Sequence, residues 1–338
     1  MNAPTELALL QQQTPTMPDR SKFLGGSDAA AVMGLSPWAT PVELWQQKTG
    51  RKPKEEPDAA AKARFERGHK LEPFICEMVI AKLRDQGIEV ELLARNARYV
   101  DPEHDFLSCE IDFELRLTGQ VQIGNTIHDL HGEHINCDAK SVTGFARKKW
   151  GQEDTEDVPI EYAAQFMHGL MVTGRRYCLV AALRSFDDVD LFWTVRDDET
   201  IAAMRPKLVS FWVDHVLTDV PPDPLVFDDI KALFPSDDGT AVDASQEIAD
   251  KVARLRQVKA EIKGLEETEQ ALTFDIAEWI SPHAILKFGG QEIATWKGQL
   301  DSRIDQKLLK EEQPEIAAKY TRTKTVRVLR LKKPKAEA

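Results

Sequence analysis

Apolar and polar residues recur with different periods along the chain, and each change of period marks a change of structure. Apolar residues at helical spacing follow Ser27, Thr40 with Pro41, and Asp58, which are residue types that favour the start of a helix. These patterns predict two short helices and one long helix that runs to about Asp85. The chain is therefore expected to begin with helices.

Beyond Glu89 the pattern changes to that of strands and then alternates between strands and helices. The predicted strands cover 91–100, 106–117, 134–142, 177–183 and 189–195, with turn signals over 119–134. The predicted helices cover 160–173 and 201–217. This order predicts an α/β fold in which helices flank a central mixed sheet.

The C-terminal part has a different pattern and predicts a separate structure. When Ile248 is taken as position a of a heptad, eight of the ten a and d residues through Trp279 are apolar, which predicts a coiled-coil-like helix. A hairpin, a short helix and a last strand at 325–331 are predicted to follow. The predicted organisation is a disordered N-terminus at 1–18, an α/β core at 19–218, a linker at 219–240, the coiled-coil-like helix at 241–281 and a small basic α+β tail at 282–338.

Charge and composition narrow the classes of function. The chain has 338 residues and a net charge of −12. This charge excludes a histone-like protein that is basic over its whole surface, but it allows a nucleic-acid enzyme that confines positive charge to a channel. Basic charge concentrates in 316–338, where eight Lys or Arg stand against one Glu. We find no long apolar run, no signal-peptide pattern and no CxxC among the four Cys, so we expect a reduced, cytoplasmic protein with no membrane partner.

Three charged residues on two predicted strands are candidates for metal-dependent chemistry. Asp112 ends one strand, and Asp138 and Lys140 lie two apart on another, so that the latter two project from the same face. Carboxylates bind hard divalent cations, and such a cation can neutralise a phosphate and activate water. The pattern D-x-K is common by chance, and a solvent-facing strand of alternating charge is the alternative interpretation.

Further polar residues lie in blocks before and after these strands. Glu72 lies in the long helix, and Tyr162 and Gln165, three apart, share one face of a later helix. Arg20 and Ser27 lie seven apart near the start of the chain. Each also has an ordinary interpretation, because Glu72 could be a surface acid, Tyr162 a core residue and Ser27 a simple helix cap.

The order of these blocks resembles the YqaJ-type viral recombinase family, which comprises phage and prophage exonucleases related to lambda exonuclease in the PD-(D/E)xK nuclease superfamily. The resemblance covers about residues 20–217 and rests on GGSDAAAVMGLSPW, TPVELW, GHKLEP, the Asp after LSCEI, DAK and EYAAQFMHGLMVTG, in that order. It implies a restriction-endonuclease-like core and a Mg²⁺ cofactor, with Mn²⁺ as an alternative. It also implies double-stranded DNA as substrate, a single-strand annealing protein as partner and a homo-oligomeric ring.

The resemblance also assigns roles to residues of the predicted metal site. It implies that Glu72, Asp112, Asp138 and the backbone carbonyl of Ala139 are metal ligands, and that Lys140 orients or deprotonates the attacking water. Asp138 is one methylene shorter than the Glu that is commoner at its position, which remains compatible with metal binding.

Outside the metal site, the resemblance implies two more groups of residues. Gln165 and Tyr162 match helix residues that complete the site near the scissile phosphate, and Arg20 and Ser27 match a pocket for a DNA 5′-phosphate. Glu110 stands where lambda-type enzymes have a small polar residue, and its charge is expected to repel that phosphate.

The expected function is that of a Mg²⁺-dependent double-strand DNA exonuclease that works from 5′ to 3′ and leaves 3′ single-stranded DNA. Two alternatives remain open, namely an endonuclease on the same core and an inactive DNA-binding adaptor. Three His at 128, 131 and 134 lie in a turn-rich segment without a Cys pair to complete a zinc site, and a solvated hairpin is the favoured interpretation there.

Overall fold

The computed structural model describes residues 19–52, 58–142, 148–183, 185 and 188–332, and the chain divides into two compact units, Met1–Leu233 and Phe234–Ala338. The predicted disordered N-terminus at 1–18 and the last residues of the basic tail, 333–338, lie outside the described residues. In the described part, no helix is both long and apolar enough to cross a membrane.

The first unit is built on a five-stranded mixed sheet in which the strands follow their order in the chain. Its strands are β1 (Glu89–Val100), β2 (Ser108–Ile123), β3 (Thr126–Ser141), β4 (Tyr177–Leu183) and β5 (Val189–Val195). Only β3 and β4 are parallel, because a helix connects them, and the other neighbours are antiparallel. The predicted mixed sheet flanked by helices is confirmed.

The helices of the first unit begin and end where their capping residues require. They are α1 (Gly26–Val32), α2 (Pro41–Lys48), α3 (Ala59–Asp85), α4 (Ile160–Thr173), α5 (Asp198–Ser210), which continues into a π-helical turn at Phe211–Val216, and α6 (Phe227–Leu233). Thr40 caps α2, because its hydroxyl accepts a hydrogen bond from the Glu43 N–H while the Glu43 carboxylate accepts one from the Thr40 N–H. Asp58 caps α3 through the Ala61 N–H, and Gly174, with φ of 70°, ends α4.

Two hydrophobic clusters cover the two faces of the sheet. Alternate residues of β4 belong to different clusters, since Cys178 and Val180 pack with α4 and its neighbours, whereas Leu179 and Ala181 pack with α3. Strand residues point alternately to opposite faces, so α3 and α4 lie on opposite sides of the sheet. All four Cys are buried and free.

Three local predictions were wrong. The segment 119–134, predicted as turns, is mostly strand, because β2 and β3 form one long hairpin that turns at Gly124. Helix α1 is capped by Gly25, with the Asp28 carboxylate accepting the Gly25 N–H, so that Ser27 does not cap it. The segment predicted as a linker contains α6, where the buried Asp229 accepts a hydrogen bond from the Thr40 hydroxyl.

The second unit contains one long helix followed by small elements. They are α7 (Gln246–Ile280), a hairpin of β6 (Ile285–Phe288) and β7 (Gln291–Thr295), α8 (Gln306–Glu312) and α9 (Pro314–Tyr320). Ser245 caps α7 through the Ile248 N–H. The last predicted strand, 325–331, is wrong, because these residues have no strand partner in the part of the chain that the structure describes. The predicted coiled coil is not confirmed, because among the described residues of its unit α7 has no helix paired with it.

Candidate active site

The candidate site lies where β2 and β3 separate. Phe113 and Cys137 form the last pair of the ladder between these strands, and beyond them β2 pairs only with β1 and β3 only with β4. Asp112 occupies the gap and accepts a hydrogen bond of 2.8 Å from the Ala139 N–H through Oδ2. Asp112 and Asp138 are the next residues after this last pair, one on each strand. They therefore lie next to each other where the two strands diverge.

Asp138 is held by one group on each side. Its Oδ1 lies 2.5 Å from the Lys140 Nζ, and its Oδ2 accepts a hydrogen bond of 2.9 Å from the Gln165 Nε2. Asp138 and Lys140 share a face because they are two apart on β3, whereas Gln165 reaches them from α4. The helix that connects β3 to β4 thus supports the carboxylate of β3.

Burial and neighbouring charges shift the pKa values of Asp112 and Lys140. Burial, followed by the charge of Asp138, raises the pKa of Asp112 from 3.8 to about 8, against the opposing effects of Lys140 and the Ala139 N–H. Burial acts to lower the pKa of Lys140, but the carboxylates of Asp138 and Asp112 outweigh it and raise that pKa above its usual 10.5. Two neighbouring carboxyls and one ammonium therefore form an acid-rich site that favours an additional cation.

Glu72 lies close to this group without contacting it directly. Its charge adds to the rise in the pKa of Asp112, while its Oε1 lies 3.0 Å from the His69 Nδ1. In the described ranges, no three His, Cys, Asp or Glu side chains converge closely enough to form a metal-binding group. The predicted ligand set of Glu72, Asp112, Asp138 and the Ala139 carbonyl therefore stays a prediction.

Aromatic rings form one wall of the site. The Tyr162 ring centroid lies 5.3 Å from the Lys140 Nζ, and burial raises the pKa of Tyr162 above 10. Trp38 and Trp150 each place their ring centroids 5.7 Å from that of Tyr162. Trp38 is 65% exposed, and in the sequence nothing beyond its place in the block GLSPW singles it out.

Arg20 and Ser27, which the family resemblance assigns to one phosphate pocket, are in direct contact. The Arg20 Nη2 donates a hydrogen bond of 2.6 Å to the Ser27 Oγ and lies 3.9 Å from Asp28. Asp28 is mainly bound to Lys48, whose Nζ lies 2.7 Å from its Oδ2. The Arg20 side chain is 45% exposed, so its guanidinium remains accessible to a ligand.

The Arg20–Ser27 pair adjoins the carboxylate site through close packing of α1 on α4. A Cβ atom added to Gly26 would lie 3.1 Å from the Gln165 Cγ and 3.3 Å from its carbonyl oxygen. Gly26 precedes Ser27 directly, so the residue that binds Asp138 and the residue that binds Arg20 belong to neighbouring positions of two packed helices. A side chain at this position would require Gln165 to shift by a few tenths of an ångström.

A residue that the sequence did not reveal, Arg98, lies opposite Glu110 in the ladder between β1 and β2. Its guanidinium lies 4.1 Å from the Phe23 ring centroid and donates a hydrogen bond of 3.3 Å to the Ser108 Oγ. Burial lowers the pKa of Arg98, Glu110 acts to raise it and Arg20 to lower it further. The acid that was expected to repel a phosphate therefore has a positive neighbour, which only the pairing of two strands could identify.

The histidines of the hairpin have separate partners. His134 lies 2.9 Å from the Glu114 carboxylate, and His128 lies 3.1 Å from the Tyr177 hydroxyl. The pKa of Glu114 is lowered to about 2, because the hydrogen bonds from His134 and Arg175 outweigh the opposing effect of burial. The first of these contacts links β3 to β2, and the second links β3 to β4.

The protein is therefore an α/β protein with two carboxyls and a lysine at the point where β2 and β3 diverge. Helix α4, which connects β3 to β4, contacts this group through Gln165. Residues 17–176 match the YqaJ-like viral recombinase domain, so the resemblance seen in the sequence is confirmed over these residues. The YqaJ protein of Bacillus subtilis strain 168 is 26% identical over 308 residues, which cover 89% of this chain and 88% of that protein.

Two solved structures are similar to part of this chain. A crystal structure of an alkaline exonuclease from Laribacter hongkongensis is 19% identical, covers 60% of this chain and 91% of its own, and has a TM-score of 0.40. A phage-related exonuclease from Haemophilus somnus 129PT is 10% identical, covers 58% of this chain and 96% of its own, and has a TM-score of 0.36.

Proposed function

We propose that this protein is a divalent-metal-dependent nuclease, and more specifically a double-strand DNA exonuclease of phage-type recombination. The observation that carries the proposal is a cluster at the point where β2 and β3 separate, in which Asp112 accepts the Ala139 N–H and the adjacent Asp138 contacts Lys140 and Gln165. The match to the YqaJ-like viral recombinase domain over 17–176 supports the same assignment.

The residues present fit a hard cation of the Mg²⁺ type. Such an ion is usually held by one or two carboxylates and completes its shell with water and substrate phosphate oxygens. Asp112 and Asp138 supply two carboxyls, and the raised pKa of Asp112 indicates a site with an excess of acidic groups. We propose Mg²⁺, with Mn²⁺ as an alternative, held by Asp112 and Asp138 with the Ala139 carbonyl and Glu72 as further ligands.

A bound Mg²⁺ would supply charge neutralisation at the scissile phosphate and would acidify water. Lys140 is fully charged at neutral pH, because its pKa lies above the usual value. We therefore assign to Lys140 the orientation of the attacking water and the stabilisation of charge on the phosphate, in preference to removal of a proton. Gln165 fixes the Asp138 carboxylate, and Tyr162 forms the wall beside Lys140.

We propose digestion from 5′ to 3′ on the basis of the Arg20–Ser27 pair. Arg20 and Ser27 are proposed to bind the 5′-phosphate of a duplex end through charge-assisted hydrogen bonds. Because Gly26 packs on Gln165, this pocket would present the neighbouring phosphodiester to the carboxylate site. Digestion from 5′ to 3′ would leave 3′ single-stranded DNA, which a single-strand annealing protein would take up. A homo-oligomeric ring and a cytoplasmic location in a bacterial host complete the proposal.

Digestion of linear duplex DNA tests this function. Each end carries a different label, and the reactions contain Mg²⁺, Mn²⁺ or EDTA. We expect label loss from the 5′ ends with either metal and none with EDTA. Asp112→Asn and Asp138→Asn should lower the rate by at least about a thousandfold. Asp129→Asn is the matched control, because Asp129 is an exposed acid near the other end of β3, where its Oδ1 accepts a hydrogen bond from the Gln120 Nε2.

The same reactions decide between the alternatives. Cleavage of covalently closed or nicked circles at internal positions would identify an endonuclease. Binding of duplex DNA without metal-dependent cleavage would identify an adaptor and would contradict the proposed chemistry. Loss of label from 3′ ends alone would keep the nuclease but overturn the proposed polarity.

A further inference from the structure

Helix α7 exposes most of its apolar stripe. It has 35 residues and is about 52 Å long, which corresponds to five heptads. Six of the eight apolar a and d residues are between 46% and 80% exposed, namely Ile248, Ile262, Leu265, Leu272, Ile276 and Trp279. Within its own unit, no other described helix or strand packs along its length. Exposed stripes of this size and regularity usually mark a surface that another molecule covers.

The charges beside the stripe show which partner fits. In a parallel pair, a g residue of one helix faces the e residue five positions later on the other. For a second copy of this chain, Arg254 would then face Lys259 and Glu261 would face Glu266. Both contacts join like charges, so a parallel pair of α7 helices is disfavoured.

In an antiparallel pair of α7 helices, residues of opposite charge face each other. When two copies cross about the middle of α7, Arg254 faces Asp275 and Lys259 faces Glu266, and each contact occurs twice by symmetry. A shift of one heptad in one direction brings Lys259 against its own copy, and a shift in the other direction does the same for Glu266. Only one antiparallel register therefore joins opposite charges throughout.

The same register joins large apolar residues in the core. The facing pairs are Ile262 with Leu265, Leu255 with Leu272, and Ile248 with Trp279. The two polar core residues, Lys251 and Glu269, face Ile276 and Val258. Lys251 can place its ammonium in water while its stem covers apolar surface, and it already lies 2.5 Å from the exposed Glu247.

We propose that α7 is a self-association surface that pairs with α7 of a second copy of this chain in this antiparallel register. The contact is twofold, whereas a ring uses head-to-tail contacts, so the two are independent. If the nuclease core also forms a ring, α7 would join two rings. The proposal does not depend on nuclease activity.

Sedimentation equilibrium of the full chain tests this surface. We expect Leu265→Asp to halve the particle mass, because it places a charge at the centre of the pair. Gln270→Asp is the matched control, since it adds the same charge outside the stripe, and it should leave the mass unchanged. Circular dichroism should show equal helix content for both variants, because Leu265 is 70% exposed in the single chain.

A charge exchange tests the register. Lys259→Glu should weaken the association about tenfold, because two attractive contacts become repulsive. Lys259→Glu combined with Glu266→Lys should restore it. Stronger association of Lys259→Glu would indicate a parallel pair, in which Glu at 259 faces Arg254, and would overturn the proposal. If Leu265→Asp has the same particle mass as the wild type, α7 does not mediate association, and the proposal is wrong.

Discussion

Replacement of Asp112 by Asn tests the carboxylate pair in the metal-free protein without any measurement of activity. Asn has the same shape and keeps an oxygen that can accept the hydrogen bond from the Ala139 N–H. It cannot ionise beside Asp138. The variant therefore removes one property of Asp112, its ability to ionise, and keeps the packing of the site.

The expected effect on stability follows from the pKa of Asp112, which burial and the charge of Asp138 raise from 3.8 to about 8. At pH 7 the folded chain keeps this carboxyl protonated, whereas the unfolded chain ionises it. Each pH unit between 3.8 and 7 costs about 1.4 kcal/mol, which gives a ceiling of about 4 kcal/mol. Because the folded pKa is the higher one, the penalty is absent below pH 4, grows up to pH 8 and is constant above.

Denaturant unfolding in EDTA at a series of pH values measures this difference. We expect Asp112→Asn to match the wild type near pH 4 and to exceed it by several kcal/mol at pH 8. Addition of Mg²⁺ at about 100 times its dissociation constant should stabilise the wild type by about 2.7 kcal/mol and leave the variant nearly unchanged. Equal free energies of unfolding at pH 8, or equal stabilisation of both proteins by Mg²⁺, would refute the reasoning.

Other substitutions test single parts of the proposed mechanism. Lys140→Met should lose most turnover but keep the stabilisation by Mg²⁺, measured by digestion and thermal unfolding, and loss of that stabilisation would contradict its role. Gly26→Val should destabilise the fold by about 1–3 kcal/mol and lower the rate, because its side chain displaces Gln165. Arg20→Met should remove any preference for 5′-phosphorylated over 5′-hydroxyl ends, and Arg98→Met should reduce it, in rates on matched duplexes. Unaltered preferences would remove these residues from the end pocket.

Local patterns of the sequence were sufficient for most of the first unit. The capping residues Thr40 and Asp58 identified the starts of α2 and α3, because capping depends only on neighbours in the chain. The spacing of Asp138 and Lys140 correctly placed both on one face of β3, since strand geometry fixes that relation. The turn signals over 119–134 misled, because a long twisted hairpin accommodates glycine and polar residues within its strands.

The rest of the site depends on contacts between segments that are far apart in the chain. Gln165 could be selected only by resemblance, whereas the structure gives it a physical role at Asp138. The position of Trp38 beside Tyr162 could not be predicted, because a single aromatic residue in a loop is not part of a periodic pattern. The last predicted strand, 325–331, had the right composition but no neighbour to pair with, and strands form only as pairs.

The charge of the end pocket shows why a single departure from a family pattern must be judged with its neighbours in space. Glu110 alone would repel a phosphate, but the ladder places Arg98 opposite it. Lys48 and Asp28 lie 2.7 Å apart and offset one another. Among the described residues Arg20, Asp28, Lys48, Arg98 and Glu110, the three cations exceed the two acids by one charge, and the Arg20 side chain is 45% exposed and hydrogen-bonded to the neutral Ser27 hydroxyl. If Arg20 binds a 5′-phosphate as proposed, we expect that phosphate to meet a net attraction centred on Arg20, and Glu110→Gln should strengthen the attraction without creating it.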